Sequence, residues 1–258
     1  MNSLKDKVVF ITGASAGIGR SCARAFAAEG TRLIIAARRR PRLDELTAEL
    51  EMSQGSSVRI LELDVRNQAA VEKAVEALPP EWSEIDVLVN NAGLSRGLDK
   101  LQEGKISDWE EMIDANIKGL LYVSRAVIPG MVKRGRGHII NIGSIAGHEV
   151  YPGGNVYCAT KFGVRALSKG MRLDLVGTGL RVSNVDPGLV ETEFSLIRFR
   201  GDGERARKVY QGYTPLSPDD IADAVVYCAT RPPHVDISEI VVMPTDQAST
   251  TLVHRKQG

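Results

Sequence analysis

Long apolar runs are missing from this chain: no stretch of its 258 residues approaches the roughly 20 needed to cross a bilayer as a helix. An excess of charge is missing too. Thirty-three Lys and Arg stand against 32 Asp and Glu, a formal net charge of +1, which points to neither a nucleic-acid partner nor a membrane surface. Cysteine is sparse, and Cys22, Cys158 and Cys228 form no CxxC pair. A scattered, odd count fits reduced, buried thiols in a cytosol-like compartment, so a cytoplasmic location is expected. Cys158 adjoins Tyr157, but adjacent helix residues point in different directions, which gives it no role by itself. His138, His148, His234 and His254 lack metal-ligand spacing, and no metal is expected. Residues 1–7 are polar and run straight into a strand-like segment, with no secretory signal visible. Neither a repeat, a low-complexity tract nor a linker divides the sequence, so one domain over 1–258 is expected.

Alternation is what the sequence does show. Hydrophobic, β-branched runs at 8–12, 32–37, 58–63, 85–90, 138–142, 180–185 and 237–243 alternate with helical stretches at 18–29, 42–53, 68–77, 106–133, 156–175 and 218–230. Several runs are apolar almost throughout, as strands covered on both faces must be. In the first helical stretch Ile18, Cys22, Ala25 and Phe26 recur at helical spacing, and Gly30 offers a stop. The pattern predicts right-handed βαβ units in an α/β fold: a Rossmann-like, doubly wound parallel sheet of about seven strands with helices on both faces. One irregular stretch, 188–217, exceeds the usual connection length and is expected to form a lid, with a short helical excursion, over a substrate pocket.

Thr12-Gly13-Ala14-Ser15-Ala16-Gly17-Ile18-Gly19 follows the first strand and opens the first helix. Glycines there permit a tight turn and close approach of a pyrophosphate, while the helix N-terminus favours phosphate charge. Their spacing is GxxxGxG, not GxGxxG, and a plain strand–helix turn is the rival reading. The position after the first strand of a βαβ unit favours a dinucleotide. The second strand then selects which one. An acidic residue at its end would bond a ribose 2′-hydroxyl. Here Ala37 stands there, and Arg38, Arg39 and Arg40 follow. A guanidinium suits a 2′-phosphate, and cations at a helix start oppose the dipole, so Arg38 and Arg39 need another purpose. Arg40 and Arg42 fit a solvated basic run. The expected cofactor is NADP(H).

Tyr157 and Lys161 share a helix face as Tyr-x-x-x-Lys, and a nearby ammonium favours a phenolate that otherwise forms only near pH 10. Such pairs arise by chance, so the weight lies in their company. Ser144 closes the fifth strand, at the edge where parallel strands place ligand groups. Together, TGASAGIG, Asn90-Asn91-Ala92-Gly93, Asn116, Ser144, Tyr157-x-x-x-Lys161 and Pro187-Gly188 resemble, in order and spacing, the short-chain dehydrogenases/reductases over residues 5 to about 243.

The resemblance implies the following roles. Ser144 hydrogen-bonds the substrate oxygen and Tyr157 exchanges the proton with it. Lys161 binds the nicotinamide ribose and lowers the tyrosine pKa, while Asn116 distorts its helix and holds a water serving Lys161. Gly13, Ser15, Gly17, Ile18 and Gly19 line the pyrophosphate site; Asp64 and Val65 contact the adenine; Asn91, Ala92 and Gly93 flank its ribose and the cofactor's middle. Pro187, Gly188, Val190 and Thr192 lie at the nicotinamide. Asn90 can instead brace the sheet centre, and Gly93 can be a simple turn. A homotetramer is also implied, built through 106–133 and 156–175, with the 243–258 tail reaching a neighbour.

A narrower resemblance rests on Tyr151-Pro152-x-Gly154, on Pro187 through Ser195, on Arg198-Phe199-Arg200-Gly201-Asp202, and on Met243-Pro244-Thr245-x-Gln247. These stretches are similar to the NADP-dependent 3-hydroxy acid dehydrogenases, which include serine and L-allo-threonine dehydrogenases. It implies oxidation of L-serine, L-allo-threonine or 3-hydroxyisobutyrate, and reduction of malonic semialdehyde. A carboxylate substrate needs a cation, preferably forked. Arg198 and Arg200 in the expected lid, and Arg96, are candidates, with solvated surface arginine as the rival reading for each. Two alternatives stay open: a broad NADPH-dependent carbonyl reductase of neutral ketones, diketones or quinones, and a cofactor-sensing protein without turnover. The intact Ser144, Tyr157 and Lys161 weigh against the second.

Overall fold

Every residue of β1 (Val8–Thr12) is buried, which a strand achieves only when both faces are covered. The computed structural model describes residues 3–256; residues 1, 2, 257 and 258, the ends of the expected 1–258 span and of the 243–258 tail, lie outside it. Six further strands join β1: β2 (Arg32–Ala37), β3 (Val58–Glu62), β4 (Ile85–Asn90), β5 (Gly137–Ile142), β6 (Leu180–Pro187) and β7 (Glu239–Val242). All pair in parallel, in the order β3-β2-β1-β4-β5-β6-β7. The expected doubly wound α/β sheet is therefore observed.

Side-chain alternation sorts the core into two layers. Val9, Ile11, Leu33, Ile35, Val89 and Ile140 face α1 (Gly17–Ala28), α2 (Arg40–Gln54) and α10 (Pro218–Ala229). Val8, Phe10, Ile34, Leu88, Ile139 and Val182 face α3 (Gln68–Glu76), α6 (Leu120–Arg134) and α7 (Asn155–Asp174). Fully burying one such aliphatic or aromatic side chain contributes about 1.5–3 kcal/mol. Helix ends follow local chemistry. Gly30 and Gly55 adopt left-handed φ after α1 and α2, and Ser217 with Asp220 forms a capping box on α10, whose first residue is Pro218.

Two expectations need refinement. The stretch 106–133 is not one helix: α5 (Ile106–Ile113) and α6 are joined by a π-helical turn, Asp114–Gly119. The segment 188–217 carries two short helices, α8 (Phe194–Arg198) and α9 (Gly203–Lys208). A small α4 (Pro80–Ser83) lies between α3 and β4. Strand order reverses between β1 and β4, so their C-terminal ends part and leave a crevice, as doubly wound sheets do at their ligand sites.

Candidate active site

That crevice is a cleft of about 680 Å³, within the few-hundred-to-thousand range of small-molecule sites. Its floor is stitched by Thr12, whose Oγ1 accepts from the Asn91 and Ala92 N–H groups at 3.1 and 3.0 Å. Asn91 Nδ2 returns bonds to the Thr12 and Gly13 carbonyls at 2.9 and 3.2 Å. A Cβ on Gly13 would lie 2.8 Å from Asn91 Nδ2, and one on Gly19 would lie 2.5 Å from the Gly13 carbonyl oxygen. Gly13 and Gly17 have φ of +69° and +51°. Ala16, at the N-cap of α1, provides no side-chain acceptor, and no acid follows in the first turn. The helix therefore presents bare N–H groups and a positive dipole end to the cleft that Ala16, Gly17 and Ile18 line. These residues fit a pyrophosphate. Gly19 sits behind them, outside the lining, as a packing position.

Ala37 ends β2 without a carboxylate. Arg39 Nε and Nη2 donate to Ser15 Oγ at 3.3 and 3.1 Å, which joins the glycine-rich turn and the basic run in one cradle. Arg38 lines the same wall. Glu193, just before α8, accepts from Arg39 Nη1 at 2.9 Å and from Arg42 Nη1 at 2.6 Å. Burial pushes its carboxyl up, but the two guanidinium bonds outweigh that and hold it below the ordinary value. Arg42 is therefore engaged, where a solvated run was expected. Asp64 and Val65 reach the cleft, and Arg66 holds Asp64 at 2.6 Å, which lowers its pKa against burial.

At the other end, Ser144, Tyr157 and Lys161 line one wall. Burial pushes the Tyr157 phenol above its ordinary value, while Arg198 and the Ser144 side chain pull it down. Lys161, expected to do the lowering, contributes little. Its Nζ donates to the Ile142 carbonyl at 2.9 Å and lies 5.9 Å from the Tyr157 ring centroid, and burial drops its own pKa to about 8. Asn116 sits in the π-helical turn. It accepts from the Leu94 N–H at 2.8 Å and donates to the Leu94 carbonyl at 2.9 Å and Thr160 Oγ1 at 3.0 Å. It lies behind the cleft wall, and Gly93 leaves the room it needs: a Cβ there would be 3.0 Å from Asn116 Oδ1. Asn90 bonds Ser124 and Asn141 inside the sheet, each at 2.9 Å. Pro187, Gly188, Val190 and Thr192 line the opposite wall, with Thr192 3.3 Å from where a Gly17 Cβ would be.

The three candidate arginines part company. Arg198 projects into the cleft. Its Nε donates to Ser95 Oγ at 3.0 Å, its Nη2 to Tyr151 OH at 2.8 Å, and its guanidinium lies 5.2 Å from the Tyr157 ring centroid. Arg200 does not reach the cleft: it is half-exposed, pairs with the buried Asp108 of α5, and has φ of 52°. Arg96 is a strut, tied to Glu111 at 2.7 Å and to the Ile197 carbonyl at 2.6 Å. Phe194, Ile197, Tyr210, Gln247 and Arg255 also line the cleft. Of these only Phe194 and Gln247 lay in stretches with a recognisable pattern; the others carry no local signal. Among the described residues, His148, Asp186 and Glu239 bring possible ligand atoms within 4.8 Å of one another, which their spacing in the chain conceals. Arg165 already balances Glu239 at 2.5 Å, and Asn184 and the Ser144 N–H occupy Asp186.

Known proteins share this arrangement. A family model described as short chain dehydrogenase matches residues 7–199. NADP-dependent 3-hydroxy acid dehydrogenase YdfG of Salmonella typhi is 52% identical over 250 residues, which cover 96% of this chain and 99% of that protein. Sulfoacetaldehyde reductase 2 of Chromohalobacter salexigens is 45% identical over 242 residues, 93% of this chain and 95% of that one. The closed form of serine dehydrogenase complexed with NADP+ superposes with a TM-score of 0.91 at 49% identity, covering 97% of this chain and all (100%) of that chain. With the glycine-lined crevice, the Ser144–Tyr157–Lys161 wall and a match over most of its length, the chain belongs to the short-chain dehydrogenase family.

Proposed function

We propose that this protein is an NADP(H)-dependent oxidoreductase acting at the 3-hydroxyl of small 3-hydroxy acids, among them L-serine, L-allo-threonine and 3-hydroxyisobutyrate, with malonic semialdehyde reduced in reverse. The observation that carries the substrate class is Arg198, a forked cation held over the Tyr157 ring inside the cleft by Ser95 and Tyr151. The names of its relatives support the same class.

NADP(H), when bound, supplies or accepts the hydride. The bare N-terminus of α1 and the glycine cradle take the pyrophosphate, and Ser15, Arg38 and Arg39 take the 2′-phosphate. Ser144 and Tyr157 hold the substrate oxygen, and Tyr157 passes the hydroxyl proton. Donors fixed before the reaction stabilise the developing alkoxide without reorganisation, and Arg198 keeps the carboxylate end still. Lys161 stays behind them as the proton's next station, and Asn116 fixes the helix that carries it.

A second reading has its own support. Arg198 already has two partners, and Leu94, Phe194 and Ile197 give the cleft an apolar side, which suits neutral ketones. One panel separates the two: NADPH formation from NADP+ or NAD+ with L-serine, L-allo-threonine, 3-hydroxyisobutyrate and a neutral secondary alcohol. Sulfoacetaldehyde reduction belongs beside it, since a guanidinium fork accepts a sulfonate as readily as a carboxylate. Turnover of the acids with NADP+ is the expected result. Arg198→Ala should then raise KM for acids by about 10-fold or more, the value of one charge-assisted contact, and change KM for the alcohol little. Turnover of the neutral alcohol alone would transfer the assignment to a carbonyl reductase.

A further inference from the structure

Asp186 lies near the end of β6 with 0% exposure, an ionisable group the outlined reaction does not use. A buried carboxylate is costly unless its oxygens are satisfied, and here both are. Oδ1 accepts the backbone N–H of Ser144 at 2.9 Å. Oδ2 accepts from Asn184 Nδ2 at 2.6 Å and lies 2.8 Å from His148 Nε2. Burial pushes the Asp186 carboxyl above its ordinary value while His148 and the Ser144 N–H pull it down; ionised, it only accepts, and the imidazole then carries its hydrogen on Nε2. Room for this contact comes from Gly143: a Cβ there would sit 1.8 Å from Asp186 Oδ1.

The groups facing Asp186 come from three sides. His148 approaches from the loop after β5, and Glu239 of β7 stands 3.3 Å behind the same His148 nitrogen. On α7, Arg165 neutralises Glu239, and Lys161 lies within the field of Asp186, which favours its protonated form against burial. One carboxylate thus touches the main chain of Ser144 and acts through space on Lys161.

We propose that Asp186, oriented by His148, is a positioning residue: it fixes the backbone of Ser144 at the end of β5 and supplies the negative charge that faces Lys161. This rests on the reading of Ser144, Tyr157 and Lys161 as the reacting group. Asp186→Asn keeps the shape and an acceptor for the Ser144 N–H but removes the charge. Without that charge the protonated form of the Lys161–Tyr157 pair loses support, so the rise of oxidation rate with pH moves to lower pH.

The test measures kcat and KM from pH 6 to 10, NADPH affinity by fluorescence and Tm, for the wild type, Asp186→Asn, His148→Ala, His148→Gln and Tyr157→Phe, on the best substrate of the panel above. Asp186→Asn should lower kcat about 10-fold and shift the half-maximal point of the pH profile down by about one unit, with NADPH Kd within about twofold. His148→Ala should lower kcat about threefold to 10-fold, and His148→Gln, which can still donate, should restore most of it. A wild-type pH profile in Asp186→Asn overturns the proposal. So does a parallel fall in Tm and NADPH binding with the pH profile unmoved, since that is what a purely structural residue gives. If Asp186→Asn does not fold, the two His148 variants decide, and equal kcat in both and in the wild type overturns it. Full activity in Tyr157→Phe would instead remove the underlying reading, whatever the Asp186 result.

Discussion

Lys161 is carried at a cost. Burial lowers its pKa from 10.5 to about 8. Below pH 8 both the folded and unfolded chains hold the proton, so the penalty is fully present at neutral pH. Between about pH 8 and 10.5 the folded chain sheds the proton first, and stability from this group rises with pH. Lys161→Met should therefore abolish turnover yet unfold at higher denaturant, by roughly 1–3 kcal/mol at pH 7, and the gain should shrink by pH 10. Urea melts at the two pH values check it. Arg39 gives a second prediction. Losing its guanidinium should weaken NADPH binding about 10- to 100-fold and NADH binding hardly at all, as fluorescence titration would show. Both residues were legible in the sequence, one from a four-residue spacing and the other from its place after a strand. The pairing of Glu193 was not: the residue lies in the 187–195 stretch that carried the narrower resemblance, but its partner Arg39 is 154 positions away.

At the scale of elements, the π-helical turn Asp114–Gly119 is the distortion that the family resemblance implied at Asn116, although the apolar period alone does not show it. An extra residue in one helical turn barely disturbs the hydrophobic period, so 106–133 reads as a continuous helix. What reveals the irregularity is Asn116, a buried amide with three partners that no residue on its own helix supplies. Asn116→Ala would strand the Leu94 N–H and carbonyl and remove the donor to Thr160 Oγ1, whose own hydrogen still goes to the Tyr157 carbonyl at 2.7 Å. It should cost about 2–4 kcal/mol in urea unfolding, with a larger loss of kcat than of NADPH affinity. Strands and their ends were far easier to place. Their apolar runs are set by burial on both faces, which leaves a direct mark in composition, whereas the short helices of 188–217 owe their shape to distant contacts such as Gly97 N–H to the Arg198 carbonyl at 3.0 Å.

For the whole molecule, the exposed apolar side chains matter most. Ile113 on α5, Leu121 and Val132 on α6, and Phe162 and Leu173 on α7 all remain exposed in the single chain. These are the helices through which a homotetramer is expected, and such surface is normally covered. Light scattering on the purified protein should give four copies, and Phe162→Glu should lower that number. Net charge, near zero, offers no opposition to self-association. The crevice itself was legible from the order of motifs, since fold and topology put the ends of β1, β4, β5 and β6 on one edge. The cluster of His148, Asp186 and Glu239 was not, because only the assembled sheet brings β5, β6 and β7 side by side.

Glu193 and Arg198 stand at opposite ends of α8, a five-residue helix about 8 Å long. The first grips Arg39 and Arg42 beside the cradle for the adenosine phosphate; the second overhangs Tyr157. One short helix therefore joins the two halves of the cleft. Energies measured at Arg39 and Arg198 should then fail to add: in a double-mutant cycle on hydroxy acid turnover, Arg39→Ala with Arg198→Ala should cost less than the sum of the two. Simple addition would mean that the two ends act independently.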